Sequence, residues 1–151
     1  MKTYTLIAVI LTAILFFIYK YSFSETLNEE HYILLDNLEE IEIREYKELL
    51  YASFTPESED QRNMSFRNIA PYIFGENSRS EKIGMTSPVV IKMHNNNEMA
   101  FIMPNRYELE NLPKPHNNKL ELYEEKSNIK AAIRYSGYSN SEKEKKMINR
   151  L

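Results

Sequence analysis

A chain of 151 residues with 42% apolar and 27% charged side chains has room for one domain with a true core, and its balance excludes a largely disordered polymer. Nineteen basic against 22 acidic residues leave a net charge of -3, too even a field to attract a nucleic-acid backbone. The absence of cysteine removes disulfides, thiolate nucleophiles, Cys-ligated zinc and covalent haem attachment together.

The chain opens on an uncharged apolar segment from Tyr4 to Tyr19, bracketed by Lys2 and Lys20. As a helix it comes slightly short of a ~30 Å hydrocarbon core unless Tyr21 to Phe23 extend it. Ser22-Phe23-Ser24 sets small residues where a signal peptidase reads. Residues 1–24 therefore read either as a cleaved signal peptide or as an uncleaved hydrophobic membrane helix, and the protein as exported or membrane-anchored.

The folded domain is placed from His31 to Leu151. Alternating apolar and polar residues predict half-buried strands at Ile41–Arg44, Val89–His94, Leu120–Leu122 and Ile129–Tyr135. In the last of these Ile129, Ala131, Ile133 and Tyr135 share one face. The apolar runs Leu49–Phe54 and Met99–Met103 predict further strands, and Asn95-Asn96-Asn97 a hairpin turn, so the sheet is mostly antiparallel.

Phe66, Ile69, Ala70 and Ile73 recur at helical spacing, with Pro71 shortening that helix and Gly75 ending it. A second helix is predicted from Ser141, with Ser141 and Glu144 as a capping box ahead of Met147, Ile148 and Leu151.

In this order the segments resemble the SOUL haem-binding family over residues 31–151. The likeness is carried by Glu42-Ile43-Arg44-Glu45-Tyr46, Tyr72-Ile73-Phe74-Gly75-Glu76-Asn77 and Ile83-Gly84-Met85-Thr86-Ser87-Pro88-Val89. It continues through Phe101-Ile102-Met103-Pro104, Tyr107, Leu109, Leu112-Pro113, Pro115 and the late Ser136-Gly137. The resemblance implies an α+β fold: a distorted antiparallel barrel of two pseudo-symmetric halves, each with one helix, and a haem or related tetrapyrrole in an apolar groove beside the first. The second half is incomplete here, since the family's closing hairpin has no counterpart before Leu151. A histidine proposed as axial ligand in one branch is replaced by Glu45.

On the residues themselves, Phe66, Ile69, Ala70 and Ile73 form the stripe to set against a porphyrin face, because apolar contact is what a flat macrocycle gains most from. Arg62, Arg67, Arg79 and Lys82 flank it and could pair with propionates. The competing reading is plain core packing behind a solvated surface. His31, His94 and His116 lack metal-ligand spacing, so no metal site is assigned, and Met64 and Met85 are read as core fillers.

Three glycines, Gly75, Gly84 and Gly137, cannot assemble a phosphate loop or a nucleophile elbow, and no acid–base pair converges. No enzyme is expected. The first reading is a carrier, buffer or presenter of haem at or beyond a membrane. The alternative is a non-enzymatic interaction module taking a peptide or lipid in the same groove, without haem.

Overall fold

The computed structural model describes residue 12, residues 31–58, residue 61 and residues 64–151. The hydrophobic segment Tyr4–Tyr19 apart from Thr12, the cleavage site before Glu25 and Arg62 lie outside the described residues. Among the described residues no helix is long and apolar enough to cross a membrane.

Seven strands and two helices follow one another in the described chain: β1 Tyr32–Leu38, β2 Ile41–Tyr46, β3 Leu49–Phe54, α1 Ser65–Ile73, β4 Val89–Lys92, β5 Glu98–Ile102, β6 Leu120–Glu125, β7 Asn128–Ile133 and α2 Ser141–Ile148. Every pairing is antiparallel. The strands form two sheets, β1-β2-β7 and β4-β5-β3-β6. The distorted barrel that the resemblance implies, expected with its second half incomplete, is thus corrected to an α+β fold of two antiparallel sheets that do not close. Its physical reason is that β1 and β7 each keep a free edge among the described residues, so no strand joins the two ends.

The four-stranded sheet carries the core. Its fully buried central strand β3 sends Leu50, Ala52 and Phe54 to one face, where they meet Phe101, Met103, Leu120 and the α1 residues Ile69, Tyr72 and Ile73. The other face is smaller and more polar. There Leu49, Tyr51, Ala100 and Ile102 pack with Tyr46, Val90 and Tyr123. On that face Lys92, over the rings of Tyr51 and Tyr123, pairs with Glu125, so a bond from β4 reaches β6 at the opposite edge of the sheet. Glu125 also holds Lys130 of β7 at 2.6 Å and accepts from Asn128 at 3.0 Å, which ties the two sheets together.

The strands lie close to their sequence expectations, with three departures. β1 is unforeseen, because Ile33-Leu34-Leu35 gives an apolar run without alternation. β4 ends at Lys92 and not at His94, since the Asn95 N–H bonds the Lys92 carbonyl at 3.0 Å and begins the turn. Asn96 and Asn97 then take φ of 47° and 57°, as tight hairpins require. β7 stops at Ile133, and its apolar side is not buried: Ile129 is 63% exposed, because no described element packs on it.

At α2 the cap is Asn140, one residue before the expected Ser141. Its side chain accepts from the Lys143 N–H at 2.9 Å, while Glu144 instead accepts from Ser139 at 2.8 Å.

Candidate functional site

Helix α1 has two working faces. Ile69, Tyr72 and Ile73 are nearly inaccessible and belong to the core. Phe66, Ala70 and Phe74 stand four residues apart on a second strip, one above the next along the helix. Phe66 is 44% exposed and Phe74 56% exposed, an unusual amount of open aromatic surface for one short helix. The Phe66 ring also rests on Phe101 at 5.8 Å between centroids, so its position is held from beneath.

This strip floors a shallow groove of about 550 Å³, walled by Arg67, Pro71, Gly75 and Glu76. The helix end that shapes it is built by its motif. Gly75 takes φ 114°, its N–H bonds the Tyr72 carbonyl at 3.3 Å, and the Glu76 N–H bonds the Pro71 carbonyl at 2.8 Å. These two bonds form a Schellman motif, which satisfies the last carbonyls of a helix that Pro71 keeps short.

Asn77, 1% exposed, then locks the turn. Its amide donates to the Tyr72 carbonyl at 3.1 Å and the Glu81 carbonyl at 2.7 Å, and its oxygen accepts from the Arg79 and Glu81 N–H groups. The Tyr72 hydroxyl donates to the Pro113 carbonyl at 2.8 Å, and burial pushes that phenol above its ordinary range, so it stays a donor. The buried Thr86 hydroxyl donates to the Ile102 carbonyl, which fastens the segment before β4 to β5.

Of the residues singled out from sequence, Phe66, Arg67 and Ala70 come together in the groove. Ile69 and Ile73 sit on the core side of α1, and Arg62 lies outside the described residues. Arg79 is engaged by Glu81 at 3.2 Å and the Asn111 carbonyl at 2.7 Å. Pro71, Phe74, Gly75 and Glu76 were missed as lining. The signal for Phe74 was present as the next step in the Phe66–Ala70 spacing, one residue before the glycine expected to end the helix.

No histidine lines this groove. His31 is buried with its Nε2 at 3.1 Å from the Ser87 carbonyl, while His94 and His116 are exposed elsewhere. Met64 and Met85, expected in the core, are 49% and 41% exposed. Glu45 lies exposed on β2. Among the described residues no cluster of acidic or histidine side chains could hold a metal ion.

A second cleft of about 620 Å³ lies where the starts of α1 and α2 approach the β4–β5 hairpin. Its lining mixes Ile91, Met93 and Met99 with Ser65, Asn140 and Glu144, so it lacks a continuous apolar floor.

The groove can therefore take a flat apolar body on Phe66, Ala70 and Phe74, with an anionic edge toward Arg67 and away from Glu76. No curated protein matches the chain. A family model described as SOUL heme-binding protein matches residues 27–151, a span containing both sheets and both helices.

Proposed function

The chain belongs to the SOUL heme-binding protein family, and from that premise we propose that it binds haem or a related tetrapyrrole in the α1 groove, as a carrier, buffer or presenter that performs no catalysis. The observation that carries this reading is the strip Phe66–Ala70–Phe74, in which two exposed phenylalanines flank the buried Ala70 to make an apolar floor held in place from the core. At ~25 cal/mol per Å² a macrocycle face covering such a strip gains several kcal/mol without any bond to iron. That is consistent with a groove lined by no imidazole and with glutamate at position 45. Arg67 gives a propionate its partner.

We read residues 1–24 as placing this activity at or beyond a membrane, by export or by anchoring. Extraction of the full chain from membranes with alkaline carbonate, beside the length of its mature N-terminus, separates the two.

The binding reading is tested by titrating the protein with haem and following the Soret band. Phe66→Asp and Phe74→Asp, both at exposed positions, are expected to weaken one-to-one binding at least tenfold, while Ile91→Asp in the second cleft leaves it unchanged. Unsaturable binding that is equal in all four proteins overturns the haem reading in favour of a groove that receives a peptide or lipid.

A further inference from the structure

The second cleft, about 620 Å³ between the β4–β5 hairpin and the starts of α1 and α2, shares no lining residue with the α1 groove. Its size is that of a small-molecule site. One wall is apolar: Ile91 and Met99 stand opposite each other across the β4–β5 pairing, and Met93 lines the cleft beside them.

The remaining walls are polar and incompletely satisfied. Ser65, the first residue of α1, lines the cleft at 1% exposure, and its hydroxyl has no hydrogen-bond partner among the described residues. A hydroxyl withdrawn from water in this way is destabilising until a bound group answers it. From the α2 side, Glu144 accepts from Ser139 at 2.8 Å. That bond uses the serine's one proton, so the Tyr135 hydroxyl, 2.9 Å from the same oxygen, donates to it. The relay from Tyr135 through Ser139 holds the carboxylate by one oxygen and leaves it acceptor capacity to spare. The ion pairs among the described residues do not include Glu144, and the neighbouring Lys143 is engaged by the Ser136 carbonyl and the Tyr135 ring.

We propose that this cleft binds a small organic cation, a primary ammonium on a short apolar body. Glu144 takes the ammonium, the Ser65 hydroxyl supplies a further hydrogen bond from the α1 side, and the body rests on Ile91, Met93 and Met99. Charge fixes the sign of the ligand. Among the described residues that line the cleft Glu144 is the only charged one, so an anion there meets a carboxylate with no lysine or arginine to offset it. Hydrogen-bonding capacity fixes the head group, because an ammonium has three donors and no acceptor, and the carboxylate and the hydroxyl oxygen both accept. The two thioethers, flexible and polarizable, fit a body of irregular outline. This site is independent of the haem reading, since neither Glu144 nor Ser65 lines the α1 groove.

The methionines make the test direct. The full chain, labelled at its methionine methyls and held in detergent, is titrated with n-butylammonium, n-butanol and butanoate, probes of one chain length that differ in charge. n-Butylammonium is expected to move the Met93 and Met99 resonances saturably, while those of exposed Met85 and buried Met103, which do not line the cleft, stay in place. Glu144→Gln keeps an acceptor for Ser139 and is expected to weaken this binding by roughly fivefold. Ser65→Ala is expected to weaken it by roughly threefold, and both variants to keep the circular dichroism spectrum and the haem affinity of the parent. n-Butanol or butanoate binding as tightly as n-butylammonium, or an unchanged affinity in Glu144→Gln, overturns the proposal. So does an unsaturable drift of all the methionine signals alike, which is partition into detergent.

Discussion

Asn77 shows how much a single buried amide can hold. Its four hydrogen bonds join the end of α1 to the loop through Glu81, and the side chain that makes them is itself 1% exposed. Asn77→Ala removes all four hydrogen bonds, and is expected to cost about 2–4 kcal/mol, read as a lower urea midpoint. Because the same turn shapes the groove, haem affinity should fall with it, although Asn77 does not line the groove. The motif Tyr72-Ile73-Phe74-Gly75-Glu76-Asn77 was legible in the sequence, but its meaning as a clamp was not. An asparagine's partners here lie two to five residues away on a path that doubles back, and only the folded turn supplies them.

At the scale of the element, α1 is a short helix with opposed duties. Ile69 and Ile73 were read as part of a ligand stripe because helical spacing reveals which residues share a face, but not what that face meets. The core took them, and the groove took the neighbouring strip through Phe74. Gly75 decides where the helix ends. At φ 114° an alanine is strained even though its Cβ would meet nothing closer than the Ser80 carbonyl oxygen at 3.5 Å. Gly75→Ala is therefore expected to cost at least about 1 kcal/mol through backbone conformation, measured by thermal melting. α2 offers a contrast, since its residues, Ile148 among them, are not buried and its far end is tied by the Arg150–Glu40 ion pair.

For the whole molecule, the bond that matters most is the one between sheets. Burial alone would push the Glu125 carboxyl up, but hydrogen bonds from Lys130, Lys92 and Asn128 outweigh it and hold the group down at about 2. A carboxylate whose pKa is depressed by folding stabilises the protein above its unfolded value near 4.5, and this contribution drains away as pH falls toward 2. Burial likewise pushes Glu98 up, and hydrogen bonds from Tyr123 and Asn95 more than offset it, so both groups act in the same direction. The protein is expected to melt at a lower temperature at pH 3 than at pH 6, with a smaller difference in Glu125→Gln; an equal difference would remove Glu125 as the cause. The family, every strand but β1 and both helices were set by the sequence alone, because alternation, helical spacing and turn residues are local properties of the chain. Whether seven strands close into a barrel or divide into two sheets, which side of α1 faces the core, and that Lys92 reaches Glu125 across 33 positions were decided only by tertiary structure. Those outcomes depend on contacts between segments distant in the chain, and no local pattern encodes which distant partner a side chain will meet.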